Sequence, residues 1–401
     1  MKSVTGQFWN RRGSVKMRGA ELFAGCGGLA LGMSRAGFSH ALMAEFNHDA
    51  VATVLHNRQQ RVEHVEHWPM ELTDVRDIDW SRHAGLLDVV SGGPPCQPFG
   101  IGGKKRGHED TRDMWPEAVR AVFESQPDAF LFENVRNLAG PRFAPYLEWI
   151  KNCLRHPADK RRIDEDFASH SERLRLSQKP AAYEVISQVE NAADYGAPQI
   201  RYRVLIFGLA ARLEAKPLPM ERTHSRERLI WDQYVTGTYW RKHGIPPQEP
   251  NARDRALADA LLLKGQKPPE LPWVTVRDAL KGLGEPTGSN NHVFQPGARV
   301  YKGHTGSPLD QPAKALKAGD HGVPGGENMM VRDDGSVRYF TLREAARLVG
   351  LPDEYAFPTS WSESMRQLGN AVPAQLGKAA GLWMRNAILE ARSRIDGRAV
   401  A

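Results

Sequence analysis

The stretch that decides the fold is Glu21-Leu-Phe-Ala-Gly-Cys-Gly-Gly-Leu29, where an apolar strand runs into a glycine turn and then a helix. Glycines let the backbone bend tightly and approach a ligand, and the N-terminus of the helix offers free N–H groups. A second strand follows and ends at Glu45, about 20 residues beyond the first glycine, where an acid is placed to hold ribose hydroxyls. Strand, turn, helix and acid together predict a nucleoside-binding site.

The alternation of apolar runs and helix-like segments continues from about residue 18 to 210. This pattern predicts an α/β fold with a mostly parallel sheet. The strand candidates are residues 20–23, 41–46, 88–91, 129–132, 183–190 and 203–208. Residues 155–179 carry many charges of both signs and few apolar side chains, which indicates a surface insertion, mobile in this interpretation.

The chain changes character after residue 211. Residues 212–335 are rich in proline and glycine, which predicts a second, smaller, loop-rich domain of irregular strands and turns. Thr341 and Glu344 form a capping-box pattern that predicts a helix, and a final amphipathic helix is expected over 373–392. The expected divisions are a basic flexible arm at 1–17, a catalytic and cofactor-binding domain at 18–211, the second domain at 212–335, a linking helix segment at 336–365 and a C-terminal segment at 366–401 that completes the catalytic domain.

Composition limits the classes of protein to consider. The 401 residues are 41% hydrophobic and 25% charged, as in globular proteins that bury a sizeable core. Lys and Arg exceed Asp and Glu by 54 to 47. This excess of basic residues favours an anionic partner such as nucleic acid, although a role in solubility explains the excess equally well. Neither a signal peptide nor a membrane-spanning run is recognisable, so we expect a cytoplasmic protein, nucleoid-associated if it acts on DNA.

The three cysteines, Cys26, Cys96 and Cys153, have no regular spacing, which argues against a disulfide framework, and no Cys/His cluster has zinc-ligand spacing. Cys96 lies in Ser91-Gly-Gly-Pro-Pro-Cys-Gln-Pro-Phe-Gly100. A thiol displayed on such a rigid turn suits a nucleophile, whereas a small buried hydrophobic residue is the alternative. The basic loop 100–107 could close over a phosphate backbone, or is an exposed mobile loop.

Charged side chains also follow other strand candidates. Glu133 comes directly after an apolar strand, where burial would raise its pKa and let it donate a proton; a helix cap is the competing interpretation. Arg201 and Arg203 alternate along a strand and share one face, which suits a base carbonyl or a phosphate, whereas solvent-facing arginines are the alternative. Asp74 could hold an adenine amino group, with a helix cap or turn aspartate as an equal competitor.

These segments, in this order, resemble the cytosine-5 DNA methyltransferases. The matching motifs are Phe23-Ala-Gly-Cys-Gly-Gly28, Pro95-Cys96-Gln97, Glu133-Asn134-Val135, Gln199-x-Arg201-x-Arg203, Arg343-Glu-Ala-Ala-Arg-Leu348 and Gly369-Asn-Ala-Val372. The last of these lies in 367–373, a predicted turn before the final helix that could return to the nucleoside site. The match covers nearly all of the chain outside 1–17, 155–179 and 212–335, and the insertion at 155–179 is unusually long.

The resemblance implies a Rossmann-like methyltransferase fold with S-adenosylmethionine as the cofactor and no metal. Its binding residues would be Phe23, Ala24, Gly25, Gly27, Gly28, Leu29, Glu45, Asp74, Pro95, Asn370, Ala371 and Val372. Cys96 would add to carbon 6 of a cytosine flipped out of a specific short duplex DNA sequence, and Glu133 would stabilise or protonate ring nitrogen 3. Arg203 would hold the base carbonyl and Arg201 would help to orient the site.

The resemblance also implies that residues 212–335 are a target-recognition domain, which forms the far wall of a DNA-binding cleft. We assign the aromatic side chains of Trp231-Asp-Gln-Tyr234 and Tyr239-Trp-Arg-Lys242 to a small core rather than to DNA contacts. Residues 303–306 and 319–325 are better candidates for base-reading loops.

The expected partner is duplex DNA that contains the target cytosine, acted on by a monomer without a membrane. A cognate restriction endonuclease acting on the same site is compatible with this interpretation, and the sequence leaves its existence open. A tRNA methyltransferase is the alternative enzyme, but the Cys-Phe-Thr tripeptide of that family branch is absent. A catalytically inactive binding protein is disfavoured because both Cys96 and Glu133 are present.

Overall fold

The computed structural model of the chain describes residues 16–95, 113–302, 304–319 and 326–399. Within them a seven-stranded sheet has the order β3-β2-β1-β4-β5-β8-β6. Its strands are β1 (Met17–Leu22), β2 (Phe38–Glu45), β3 (Met70–Leu72), β4 (Val89–Gly92), β5 (Ala129–Val135), β6 (Tyr183–Asn191) and β8 (Tyr202–Ala210), with the two-residue β7 (Gln199–Ile200) just before β8. Strands β3, β2, β1, β4 and β5 pair in parallel, whereas β8 runs antiparallel to β5 and β6. The mostly parallel sheet is confirmed, and each of the six strand candidates overlaps an observed strand.

Both faces of the sheet are covered by helices, which explains why its strands are apolar along their whole length. Phe130 and Phe132 of β5 lie in one core with α3 (Trp115–Ser125) and α4 (Ala144–Arg155). Leu131, on the opposite face, lies in a second core with α1 (Gly28–Arg35) and α12 (Ala374–Ala399). The period of two along β5 therefore divides the hydrophobic core into two layers.

The remaining helices are α2 (His48–Gln59), α5 (Phe167–Arg175), α6 (Arg226–Ile230), α7 (Thr238–His243), α8 (Ala252–Lys264), α9 (Val276–Leu280), α10 (Leu342–Val349) and α11 (Trp361–Asn370). Short strands complete the structure: β9 (His224–Ser225), β10 (Leu271–Pro272), β11 (Ser307–Pro308), β12 (Ala313–Lys314), β13 (Met329–Val331) and β14 (Val337–Tyr339). In the described ranges, no helix is both long enough and apolar enough to cross a membrane.

The irregular strands and turns expected over 212–335 describe that region only in part, because helices α6 to α9 lie there. Asn251 caps α8 by accepting hydrogen bonds from the backbone N–H groups of Arg253 and Asp254, and Gly265 ends the helix with a φ of 62°. Between these caps the run is rich in Ala and Leu, which favour helix strongly. The proline-rich flanks hid this local signal. As expected, Tyr239 and Trp240 are buried in a small core, with Trp273.

Residues 155–179 contain helix α5, which packs on α4 and places Leu174 and His170 in the interior. Trp149 Nε1 of α4 donates a hydrogen bond of 3.1 Å to His170 Nδ1. Arg173 pairs with Glu165, so charges of opposite sign satisfy one another over this surface. The helix escaped prediction because ion pairs, and not an apolar stripe, occupy most of its surface.

The C-terminal helices α10 and α11 share a hydrophobic core with β2 and β3, at the edge of the sheet. The helix predicted after Thr341 is confirmed with its capping box, since the Thr341 side chain accepts from Glu344 N and the Glu344 carboxylate accepts from Thr341 N. The turn expected over 367–373 is wrong for its first four residues, which end α11; only 371–373 separate α11 from α12. A core cluster joins Met43 of β2 to Leu316 and Leu348, so the edge of the sheet, the 212–335 region and α10 share one interior.

Candidate active site

The strand register brings the predicted site residues to one edge of the sheet. Leu22 of β1 lies level with Ala44 of β2 and Gly92 of β4, and Gly92 lies level with Phe132 of β5. The next residue on each strand then lies at the carboxyl edge: Phe23, Glu45, Gly93 and Glu133. Ligands bind at this edge in open α/β sheets.

The glycine turn after β1 is tightly packed on one side and open on the other. Gly27, the N-cap of α1, has a φ of 81°, and a Cβ there would lie 2.3 Å from the Trp68 ring. A Cβ on Gly25 would meet nothing within 4 Å. Phe23 itself has a φ of 56°, a conformation that side chains rarely adopt. Trp68 therefore packs against the turn at Gly27, while Gly25 faces open space.

The C-terminal segment returns to this turn. A Cβ on Gly28 would lie 2.4 Å from the Val372 carbonyl oxygen and 3.1 Å from the Ala371 Cβ. Asn370, the last residue of α11, is exposed beside them. Of the other predicted cofactor residues, Ala24 and Leu29 are buried.

Glu45 is fixed by the turn that it faces. Its Oε2 accepts a hydrogen bond of 2.8 Å from the Gly25 N–H, and its Oε1 accepts one of 2.8 Å from the Asn47 N–H. Each carboxylate oxygen keeps a further acceptor position, which suits a ribose diol. The next residue, Phe46, has 65% of its surface exposed. Sequence reasoning missed Phe46, although an aromatic residue directly after the strand-end acid was the available signal.

Asp74 lies two residues beyond β3 and caps the short 3-10 helix Val75–Asp77. Its Oδ1 accepts from the backbone N–H of Arg76 at 2.9 Å, and the Arg76 guanidinium binds both oxygens. The hydrogen bonds from that guanidinium lower the pKa of the Asp74 carboxyl. In this structure Asp74 therefore has the role of helix cap, at a position close to the carboxyl edge.

Glu133 is held between an arginine and the turn after β4. Arg203 Nε contacts Glu133 Oε1, and the two side chains are 14% and 10% exposed. The pairing follows from the register, because Arg203 lies opposite Val135, two residues from Glu133 on the same face. A Cβ on Gly93 would lie 3.2 Å from Glu133 Oε2, so this second oxygen faces the turn.

Asn134 fixes the same turn from the next position along β5. Its Nδ2 donates a hydrogen bond of 2.9 Å to the Pro94 carbonyl oxygen, and the side chain is buried. Pro95, half-buried, is the last described residue of this segment. Cys96 and the basic loop 100–107 lie outside the described residues, as do residues 1–15 of the expected arm and residues 303 and 320–325 of the expected base-reading loops.

Arg201 and Arg203 make different contacts. Arg201 lies between β7 and β8 and is only 2% exposed. Its Nη1 donates to the Leu316 carbonyl at 2.9 Å, and its Nη2 donates to the Gly369 carbonyl at 2.5 Å. Burial, and then the charge of Arg203, lower the Arg201 pKa well below its ordinary value. Arg201 thus ties distant segments together, whereas Arg203 meets the acid.

Both described cysteines, Cys26 and Cys153, are buried. Burial raises the pKa of both the Cys26 and the Cys153 thiols to about 12, far above the range in which a thiolate forms at neutral pH. No group of three His, Cys, Asp or Glu side chains in the described part of the chain is arranged to hold a metal ion.

Comparison with known proteins agrees with this geometry. A family model for C-5 cytosine-specific DNA methylases matches residues 17–156 and 175–384, and the unmatched stretch falls within the insertion at 155–179. The chain is 30% identical over 362 residues to the type II methyltransferase M.AplI of Arthrospira platensis, covering 90% of this chain and 83% of that protein. It is 29% identical over 372 residues to the type II methyltransferase M.NgoMIV of Neisseria gonorrhoeae, covering 90% and 95%.

Solved structures show the same fold at lower identity. The S. pombe Dnmt2 methyltransferase is 16% identical, with a TM-score of 0.54 and coverage of 94% of this chain and 98% of that one. The Entamoeba histolytica methyltransferase EhMeth is 11% identical, with a TM-score of 0.52 and coverage of 92% and 98%. The family match along most of the chain settles the identity: this protein belongs to the C-5 cytosine-specific DNA methylase family and is a DNA methyltransferase.

Proposed function

We propose that this enzyme transfers a methyl group from S-adenosylmethionine to carbon 5 of a cytosine flipped out of a specific short duplex DNA sequence, through a covalent adduct with Cys96. The observation that carries the proposal is the meeting of Glu133 and Arg203 with the turn that leads to Cys96. The type II methyltransferase names of the relatives support a cognate restriction endonuclease as a partner at the same site. A DNA substrate places the reaction at the nucleoid, in the cytoplasm.

The cofactor side of the site would be formed by the turn from Phe23 to Gly28 together with Glu45. Open space above Gly25 and the free acceptor positions of the Glu45 carboxylate fit a nucleoside. The exposed Phe46 ring offers a flat apolar face for a purine. Ala371 and Val372 would pack against the turn from behind. Asp74 would release Arg76 and accept a hydrogen bond from the adenine amino group. S-adenosylmethionine supplies an electrophilic methyl group on a sulfonium sulfur.

The base side would be formed by the acid and its arginine. Carbon 5 of cytosine is a weak nucleophile, so a thiolate must first add to carbon 6 and push electrons toward carbon 5. Glu133, whose Oε2 faces the turn, would hold ring nitrogen 3, and its partner Arg203 would hold the carbonyl oxygen. Once carbon 5 carries the methyl group, loss of its proton and expulsion of the Cys96 thiolate restore the aromatic ring.

The base can reach this edge of the sheet only after it leaves the duplex stack. Residues 212–335 would hold the duplex from the far side, and 303–306 and 319–325 would read its bases. Residues 212–335 share an interior with the sheet through Leu316 and Met43, which supports their proposed role as a wall of the cleft. The Arg201 hydrogen bonds to Leu316 and Gly369 support the same arrangement.

The first experiment measures transfer of a labelled methyl group to mixed-sequence duplex DNA, with bulk tRNA as a parallel acceptor. We expect label on DNA, mapped to carbon 5 of cytosine within one short sequence. Label on tRNA alone would overturn the choice of substrate, and label on neither acceptor would overturn the activity.

The second experiment tests the adduct with a duplex that carries 5-fluorocytosine at the target position. Fluorine cannot leave carbon 5 as a proton does, so the Cys96 adduct should accumulate as a protein–DNA complex that survives denaturation. The complex should be absent for Cys96→Ala and unchanged for Cys153→Ala, a matched control because Cys153 is buried in the α4 core. An adduct formed by Cys96→Ala would refute the assignment of the nucleophile.

A further inference from the structure

Arg136 is an exposed arginine at the rim of the active site, and the reaction as described leaves it without a role. It follows Glu133 by three residues and begins the 3-10 helix Arg136–Ala139 directly after β5. Its guanidinium carbon lies 4.9 Å from the centroid of the Tyr202 ring. Tyr202 is 41% exposed and immediately precedes Arg203. Arg136 is therefore stacked on a neighbour of the catalytic arginine, facing solvent.

The stack is linked to Glu133 through Arg203. Arg203 Nη1 donates a hydrogen bond of 2.9 Å to the Tyr202 carbonyl oxygen, while Arg203 Nε contacts the Glu133 carboxylate. The backbone of Tyr202 is also paired with Asn191 of β6. The side chain that contacts the acid therefore also binds the backbone of the residue whose ring supports Arg136.

Stacking occupies the face of the Arg136 guanidinium and leaves its edge free. The N–H groups lie in the plane of the guanidinium, so a cation–π contact with Tyr202 uses none of them. No carboxylate of the described residues forms an ion pair with Arg136, whereas Arg203 is engaged by Glu133 and Arg201 by backbone carbonyls. A planar edge with parallel donors matches two oxygens of a phosphate.

We propose that Arg136, oriented by Tyr202, binds a backbone phosphate of DNA next to the flipped cytosine and so positions the target strand. The inference rests on the proposed function, because it takes the base to lie against Glu133. A base that rotates into this pocket about its own backbone leaves the neighbouring phosphates at the rim, where Arg136 lies. The contact would read no sequence; it would fix the strand in register with the acid.

The test compares Arg136→Ala with the matched control Arg82→Ala. Arg82 is 81% exposed and lies in the 3-10 helix Trp80–His83, before β4 and hence toward the opposite edge of the sheet. Both variants lose one positive charge. Affinity for a duplex with the mapped target sequence is measured over a range of salt concentrations. We expect Arg136→Ala to bind about 10-fold more weakly and its salt slope to fall by about one, with Arg82→Ala unchanged.

Tyr202 variants test the orienting role. Tyr202→Phe keeps a ring and should bind like wild type, whereas Tyr202→Leu should lose part of the affinity that Arg136→Ala loses. The phosphate is identified with duplexes in which one phosphate beside the target cytosine is a neutral methylphosphonate. At one position the wild type should lose about 10-fold in affinity, and Arg136→Ala should lose nothing further, which is the signature of a direct pair.

The outcomes separate this inference from the proposed function. If the wild type methylates DNA while Arg136→Ala keeps its affinity and salt slope, the phosphate contact is wrong and the methyl transfer stands. If methylphosphonates weaken wild type and Arg136→Ala equally at every position, the contact is likewise wrong. If the wild type transfers no label to DNA, the proposed function fails and the inference fails with it.

Discussion

Replacing Glu21 by glutamine should stabilise the protein, and more strongly as the pH rises. Glu21 lies in β1 and is only 1% exposed. Its polar partners are a Ser91 hydroxyl 3.3 Å away and the backbone of Ala30, with no cation among them. Burial raises the pKa of this carboxyl from 4.5 to about 8. The folded protein therefore holds Glu21 protonated at neutral pH, whereas the unfolded chain ionises it.

The sign and size follow from linkage. Because the folded pKa is raised, the stability associated with Glu21 is full below about pH 4.5 and is lost as the pH rises through about 8. Each pKa unit between the two states corresponds to about 1.4 kcal/mol. At pH 7 the cost is then about 3 kcal/mol, and it approaches about 5 kcal/mol above pH 8. Glutamine imitates the protonated carboxyl in size and hydrogen bonding, so Glu21→Gln avoids this cost.

The assay is unfolding by urea at about pH 5, 7 and 8.5, with wild type and variant in parallel. The midpoints should nearly coincide at the lowest pH and diverge increasingly in favour of Glu21→Gln. Other carboxyl groups titrate in both proteins and cancel in the difference. The control is Glu71→Gln, because Glu71 is exposed on β3. A difference between Glu21→Gln and wild type that does not change with pH would refute the reasoning.

The remaining predictions concern the glycine turn and the two arginines. Gly28→Ala should lower the free energy of unfolding by about 1–3 kcal/mol, because its Cβ would collide with the Val372 carbonyl; thermal unfolding measures this. Gly25→Ala meets no atom, but its φ of 55° should cost about 1 kcal/mol of stability. Because its Cβ enters the open space of the proposed cofactor site, titration calorimetry should show a greater loss of S-adenosylmethionine affinity than of stability. Arg201→Lys should cost about 2–4 kcal/mol of stability, because one ammonium cannot replace both carbonyl contacts. Arg203→Lys keeps a positive charge beside Glu133, so it should cost less stability than Arg201→Lys while it lowers the rate of methyl transfer. The reverse pattern would contradict the division of roles.

Local patterns in the sequence predicted the features that depend on neighbouring residues. The strands follow apolar runs, the capping box of α10 follows from Thr341 and Glu344, and the end of β2 follows from Glu45. Helix α8 was equally local, with its Asn251 cap and Gly265 end, but a composition averaged over 212–335 concealed it. The error came from the length of the window and not from a missing signal.

Features that depend on distant residues were out of reach. Arg201 donates hydrogen bonds to the Leu316 carbonyl, 115 residues away, and to the Gly369 carbonyl, 168 residues away. No sequence pattern around Arg201 predicts either contact. Its spacing from Arg203 predicted a shared face, but it could not predict these two carbonyl contacts. For Asp74 the sequence allowed both a helix cap and a ligand contact, because either role needs an acid at this position. The hydrogen bonds between Asp74 and Arg76 show that it is a cap in this structure.

The order of strands explains why the proposed cofactor turn lies close to Glu133, the proposed base-binding acid. From β1 the chain passes through α1 to β2 on one side, and from β4 it passes through α3 to β5 on the other. Because such crossovers are right-handed, the two helices must lie on opposite faces of the sheet, as their separate cores show. In open α/β sheets the turns at such a point diverge and leave a crevice, which we expect here between Phe23 and Gly93. A methyl donor held by the first turn and a thiol carried by the second would meet in that crevice, and Glu133 and Arg203 border it one strand further on.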